Sequence, residues 1–438
     1  MTQLKFYSGL REIGGTVVAI ETDKAICIFD FGYANADRLD DKVYTRPGKE
    51  TTDLVKLGIL DRVDGIYEKE DAHALGLKAY GEVDKEVFVI ISHMHIDHMG
   101  GLGSLAKELP VYMSSDSAIL YHELGVMGEL ELREHENVLP IDYDGSVTVG
   151  DIKVTCVQVD HDVYGACGFL IETKEGKICY TGDYRYHGFH PEISSAFAEK
   201  CKGADLMITE GVTISFADVD MLSLEGPVRD NSEWTLLEDM KTHSKEESGL
   251  IVINNYNRNV ERIHRMIGAV KECGRSLALE PAQADYVAAF FPEDEFEVYL
   301  PEGGELTAPL LKNRKVVTRK EIMASPSKYI LQQDYKNAYE LFELKEIISL
   351  YLHMDGTPLG DYDPSFKKFY ALLDVLGINY KRCGLGGHAE PYYLRKTVDT
   401  IAPKTLVPLH SFRPEQFRSN MVEKIILPNE NGTITLGI

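Results

Sequence analysis

Apolar residues occur in short runs broken by glycine and acidic turns. Residues 5–9, 16–20 and 25–30 read as three strands, joined around Gly14-Gly15 and Thr22-Asp23-Lys24, and predict a β-meander at the edge of a core. Residues 35–84 are richer in Asp, Glu, Lys and Gly and predict a long, partly helical insertion. The continuous run at 87–91 predicts a buried strand, and 101–107 suits a helix. Further strands are expected at 111–113, 147–149, 153–157, 168–172, 177–180 and 205–210.

From residue 250 the rhythm changes. A strand at 250–253 precedes Val260, Ile263, Ile267 and Val270 at helical spacing, with Gly274 as the stop signal. Strands follow at 276–279, 297–300, 328–331 and 347–350, then a helix from Asp363-Pro364 to Leu376-Gly377. A last helix at 391–401 leads into 405–410. Strand–helix alternation of this kind predicts an α/β domain with a mostly parallel sheet.

At 438 residues, two domains are the default. The N-terminus lacks the apolar core of a signal peptide, and no apolar run is long enough to span a bilayer. Seven scattered cysteines without CxxC spacing fit reduced thiols, so a cytoplasmic location is expected. A net charge of −24 argues against broad nonspecific binding to nucleic acid, while leaving room for a local basic groove.

Chemistry concentrates in Ser92-His93-Met94-His95-Ile96-Asp97-His98-Met99-Gly100-Gly101. With only 14 histidines in the chain, three beside an aspartate within six residues point to metal ligation from one loop. Other ligand types end predicted strands: Asp30, Asp160-His161, Asp183 and His410. Carboxyl ends of strands gather at one sheet edge, where distant residues converge. Neutral imidazoles and carboxylates suit zinc, and also manganese or iron. Taken singly, His161 and His410 read as ordinary partly buried histidines and Asp183 as a turn cap; their order and strand-end positions raise them together. His187 and His190 read as decoys.

In these residues the chain resembles the metallo-β-lactamase superfamily. The resemblance implies a four-layer αββα sandwich, within the α/β class, bearing its metal site at one edge of paired sheets. The long gap from Asp183 to His410 holds a whole α/β domain, entered at Glu210 and left at Gly386-Gly387-His388. That arrangement resembles the β-CASP nuclease subfamily, which includes ribonuclease J, here without the additional C-terminal domain usual there. Expected boundaries are residues 1–209 and 389–438 for the metallo-β-lactamase domain and 210–388 for the inserted one.

Carried over by resemblance, His93, His95 and His161 would hold one divalent ion, and Asp97, His98 and His410 a second. Asp183 would bridge them. Zinc is the first expectation and manganese the second. Two ions about 3.5–4 Å apart can activate water and clamp a phosphate oxygen. Catalysis would involve Asp97 and His388, which would donate to the leaving oxygen; Glu210 would orient His388, and Asp30 would align ligand histidines. Phosphate contacts are expected from Ser411, His388 and a basic helical stripe of Arg258, Arg262 and Arg265. The expected substrate is single-stranded RNA, with DNA as the alternative and a noncatalytic RNA-binding subunit as the third reading. A homodimer is compatible with the resemblance, and no membrane partner is expected.

Overall fold

Three seven-stranded sheets carry the computed structural model, which describes residues 1–34, 45–301, 303–361 and 363–436. The described chain divides into two compact units: Met1–Tyr186, His190–Asp230 and Gly387–Ile438 form the first, and His187–Phe189 with Asn231–Gly386 the second.

In the first unit, β1 (Gln3–Ser8), β2 (Val17–Glu21) and β3 (Ala25–Phe29) form the expected antiparallel meander. It continues in parallel through β4 (Glu86–Ile91), β5 (Val111–Ser114) and β6 (Val138–Ile141). The strand Thr433–Thr435 closes the other edge against β1. The second sheet runs through β7 (Ser146–Val149), β8 (Ile152–Gln158), β9 (Cys167–Thr173), β10 (Gly176–Tyr180) and β11 (Leu206–Thr209). A late strand, Thr405–Pro408, pairs in parallel with β11.

The two sheets face each other. Phe6, Val18, Ile20, Phe29 and Phe88 of one interleave with Val154, Phe169, Ile171, Ile178 and Ile208 of the other in a single buried apolar cluster. The outer face of the second sheet is covered by the helices Pro191–Lys200 and Pro391–Ile401 through Phe197, Leu394, Val398 and Ile401. This is the sandwich of the metallo-β-lactamase fold, held by burial on both faces of each sheet.

The second unit has its own parallel sheet. In chain order β12 is Leu250–Asn255, β13 Ser276–Leu279, β14 Glu297–Tyr299, β15 Val316–Val317, β16 Tyr329–Gln332, β17 Ile348–Met354 and β18 Tyr380–Arg382. Their spatial order is β15-β14-β13-β16-β12-β17-β18, every pairing parallel.

Two local differences have physical causes. Residues 101–107 hold only the 3₁₀ turn Leu102–Ser104, and the helical turn comes earlier, at Ile96–Met99, inside the histidine loop. Residues 210–230, expected in the insert, stay with the first unit. Met221 and Ile214 join its apolar cluster, and Arg395 of the helix Pro391–Ile401 donates to the carbonyls of Met221 and Leu224. The expected insertion at 35–84 contains the helices Glu50–Lys56 and Lys69–Leu75; its residues 35–44 lie outside the described ones.

Candidate metal centre

Each chemical side chain sits just past a strand that leaves its sheet in a common direction. Asp30 follows β3, His93 to His98 follow β4, and His161 follows β8. Asp183 follows β10, Glu210 follows β11, and His410 follows Thr405–Pro408. Asp30 and His410 hold the left-handed conformation at φ 56° and 51°. That region is uncommon for residues bearing a Cβ, and surrounding contacts must over-determine it. Gly32 lets the loop press on the cluster: a Cβ there would lie 1.8 Å from the carbonyl carbon of Asp97.

The side chains converge. His95 Nδ1 lies 3.0 Å from His93 Nε2 and 3.2 Å from His161 Nε2. On the other side His98 Nε2 and His410 Nε2 each lie 3.5 Å from Asp97 Oδ2. One oxygen joins the halves: Asp183 Oδ2 is 3.3 Å from His98 Nε2, 3.5 Å from His410 Nε2, 3.7 Å from His388 Nδ1 and 3.8 Å from His93 Nε2. His93, His95, His161 and Asp183 form one group able to hold an ion, and Asp97, His98 and His410 another.

The hydrogen bonds behind these rings fix their tautomers. Asp30 is fully buried and accepts from Ser92 N (2.7 Å), Ser92 Oγ (2.8 Å), His98 Nδ1 (2.7 Å) and Tyr180 Oη. Because Ser92 Oγ donates to Asp30, it accepts from His93 Nδ1 at 2.9 Å. His161 Nδ1 donates to the carbonyl of Gly387 at 2.7 Å. All three rings therefore turn Nε2 inward. His410 Nδ1 lies 3.2 Å from Gly14 N and 3.3 Å from Thr16 Oγ1; accepting the Gly14 N–H places the neutral ring's proton on Nε2, whereas donating to Thr16 Oγ1 frees Nε2 as a lone pair, so an ion held at Nε2 selects the second arrangement.

Electrostatics match this geometry. Burial, then the neighbouring imidazoles, push His93 and His161 well below the ordinary histidine range, which favours neutral ligand rings. Burial opposes charge on His98, but Asp183, Asp97 and Asp30 outweigh it and raise its pKa well above the usual value, so the three carboxylates favour a positive charge at its Nε2, a proton or a cation in the proton's place. Burial also opposes charge on Asp183, and His410 and His98 outweigh it, holding the carboxylate well below its usual range. His98 Nε2 and Asp183 Oδ2 are buried without a hydrogen-bond partner among the described residues. Inward lone pairs, unsatisfied buried atoms and a mixed imidazole–carboxylate donor set fit divalent cations.

His388 stands beside the cluster, its Nδ1 3.1 Å from Glu210 Oε2. Burial lowers its pKa, but Glu210 and then Asp183 overcome this and push it up to about 10.

Two expected phosphate contacts are not available. Ser411 is fully buried; its hydroxyl is 2.9 Å from Ser215 Oγ and accepts from Arg413 N at 3.1 Å, tying two loops together. The arginine stripe also dissolves. Arg258 precedes the helix Val260–Glu272, whose N-cap is Asn259. Arg262 is fully buried in the second unit, bonded to Glu233 (2.8 Å twice), Met354 O (2.8 Å) and Asp355 (3.1 Å). Arg265 pairs with Glu261 and lies over the rings of Phe189 and Trp234. The helix buries a wider arc than its apolar spacing implies, and Arg262 falls inside it.

Sequence reasoning passed over Ser92, Tyr180 and Asp162. Only their adjacency to His93, Asp183 and His161 could have flagged them.

Comparison with known proteins gives consistent relatives. A family model described as "Beta-lactamase superfamily domain" matches residues 69–233. Ribonuclease J of Helicobacter pylori is 24% identical over 278 residues, covering 62% of this chain and 35% of the relative. Ribonuclease J 1 of Streptococcus pyogenes is 22% identical over 363 residues, covering 80% and 62%. Ribonuclease J of Pyrococcus abyssi is 23% identical over 285 residues, covering 63% and 58%. The chain thus spans between about a third and two thirds of the length of these relatives. A crystal structure of a protein of unknown function from Enterococcus faecalis V583 superposes with a TM-score of 0.82 at 29% identity, covering 99% of both chains.

Proposed function

We propose, from the chain's β-lactamase superfamily domain and its likeness to ribonuclease J, that it is a β-CASP-type, divalent-metal-dependent hydrolase of RNA phosphodiester bonds. The observation that carries this reading is the position of Asp183 Oδ2, within 3.8 Å of His93, His98, His410 and His388. His93, His95 and His161 would hold one ion, Asp97, His98 and His410 the other, and Asp183 both. Divalent ions bound there supply Lewis acidity, lowering the pKa of water and neutralising charge on phosphoryl oxygens.

The chain's own residues supply the rest. Asp30 holds the His98 ring through Nδ1, so that Nε2 faces inward throughout turnover. His388, partly exposed and kept charged by Glu210, is suited to donate a proton or hydrogen bond to the oxygen that leaves the scissile phosphate. Glu210 positions that ring without touching the substrate: its Oε2 is engaged by His388, while the Tyr184 N–H is 3.2 Å from Oε1.

The test is cleavage of end-labelled single-stranded RNA bearing a 5′-monophosphate, a 5′-triphosphate or a 5′-hydroxyl, beside DNA of the same sequence. Zinc- and manganese-loaded protein should cut RNA, and chelation should abolish cutting. His388→Ala should lower kcat by about 10²–10⁴-fold while metal content stays at the wild-type level. Loaded protein that cuts none of the RNAs refutes the reading; cleavage of the DNA alone transfers it to that substrate.

A further inference from the structure

Two aspartates flank His161 in Val159-Asp160-His161-Asp162, and the sequence treats them alike. The structure separates them. Asp160 faces away from the cluster. Its Oδ1 is 3.0 Å from Arg185 Nε, its Oδ2 accepts from His190 N at 2.9 Å, and its carbonyl accepts from Arg185 N at 2.7 Å. It anchors the loop. Asp162 faces the histidines, with Oδ1 3.3 Å from His161 Nε2 and 3.5 Å from His95 Nε2.

His95 differs from the other inward rings. Its Nδ1, not Nε2, faces His93 and His161. To offer Nδ1 as a lone pair the neutral ring must carry its proton on Nε2, and Asp162 is the carboxylate beside that atom. The distance of 3.5 Å is just beyond a hydrogen bond and is closed by a small rotation of either side chain. Gly387 leaves room for Asp162 in this position, since a Cβ there would lie 2.4 Å from its Oδ1.

Charge points the same way. Apart from the shared Asp183, the half built from His93, His95 and His161 offers imidazoles alone, whereas the other half contains Asp97. Asp162 gives the three-histidine half a negative charge of its own. We infer that Asp162 is a positioning residue that selects the Nε2–H tautomer of His95 and sets the cation affinity of the three-histidine half. This rests on the metal-binding reading above, but concerns a residue which that reading does not use.

Zn²⁺ affinity is measured by competition with a chromophoric chelator, on the full-length wild type and on Asp162→Ala, Asp162→Asn and Asp160→Asn. The wild type should take up two ions. Asp162→Ala should weaken one of them by about 10–100-fold and leave the other unchanged. Asp162→Asn, which keeps an acceptor for Nε2–H, should weaken it less. Asp160→Asn should lower the melting temperature without that selective loss. In the metal-free protein, ¹⁵N–¹H correlations of His95 should show mainly the Nε2–H tautomer in the wild type and a mixture in Asp162→Ala.

Affinities at both sites of Asp162→Ala unchanged from the wild type, or an unchanged His95 tautomer, overturn the inference alone. Equal weakening of both sites with a fall in apo-protein stability matching Asp160→Asn also overturns it, in favour of a purely structural role. A wild type that binds no Zn²⁺ overturns it together with the metal-binding reading.

Discussion

Replacing Arg262 by alanine tests whether this arginine is a structural keystone of the second unit or a substrate contact. Its side chain and that of Glu233 are both fully buried. The guanidinium engages Glu233 through Nε and Nη2 at 2.8 Å each, Met354 O at 2.8 Å, Asp355 Oδ2 at 3.1 Å and Asn255 Oδ1 at 3.3 Å. Truncation strands the Glu233 carboxylate in the interior without its guanidinium counter-charge, while the Asn259 amide still donates to it at 3.1 Å. Removing one member of such a pair costs about 3–5 kcal/mol. At about 2–4 °C per kcal/mol for a unit of this size, the melting temperature should fall by roughly 6–20 °C. Trp234, the chain's single tryptophan, lies next to Glu233 and donates its indole N–H to Phe189 O at 3.2 Å. Its fluorescence in urea should therefore report unfolding of this unit, without assuming that the whole chain unfolds in one step. The double variant Arg262→Met/Glu233→Leu should recover most of the loss, because it leaves no buried lone charge; Asp355 retains solvent access. Wild-type stability in Arg262→Ala combined with weakened RNA binding would refute this reasoning and restore the basic-stripe expectation.

Two further outcomes follow from the geometry. Burial, with Glu12 and Glu430 adding to it against the Ser8 hydrogen bond, raises the Asp61 carboxyl from 3.8 to about 6. The folded state then binds more protons than the unfolded between about pH 4 and 6, so stability falls as pH rises through that window, by about 3 kcal/mol. Asp61→Asn should remove that dependence; urea melts at pH 4 and 7 should differ between variant and wild type by this amount, and an unchanged difference would contradict the assignment. Gly387→Ala should push on Asp162 Oδ1 and His161 Cε1, 2.4 and 2.6 Å from the added Cβ, at about 1–3 kcal/mol in stability. Calorimetric titration with Zn²⁺ should then show loss at the three-histidine half, and normal two-site binding would contradict it.

The residues that announced themselves did so by chemistry and spacing. The loop from His93 to His98 is recognisable because five of its ten residues from Ser92 to Gly101 are ligand types or the serine that bonds them. His161, Asp183, Glu210 and His410 were findable as polar residues that end apolar strands. The helix Pro364–Leu376 was legible at both ends, with Asp363 capping Ser365 N and Gly377 in the left-handed conformation. Helices buried on several sides were not: Pro281–Phe290 buries Ala282 through Ala288 without a break, so its apolar pattern has no period to detect. Arg262 failed for a related reason. An arginine is expected at a surface, and only the three-dimensional partners Glu233 and Asp355 reveal that it is neutralised inside. Asp162 and Asp160 could not be told apart, because their difference is one of direction.

The pairing of β11 with Thr405–Pro408 also has a consequence for synthesis. Nearly two hundred residues separate these hydrogen-bonded neighbours in the chain. At about 5–20 residues per second, β11 emerges from the ribosome on the order of 10–40 s before its partner. During that interval its Leu-Met-Ile-Thr backbone is an open sheet edge, the kind that recruits foreign strands. His388 and His410 arrive in the same late stretch, so a nascent chain lacks the complete centre until residue 410 has been made. Under the proposed function, this order of synthesis keeps the centre incomplete while the preceding part of the message is being read.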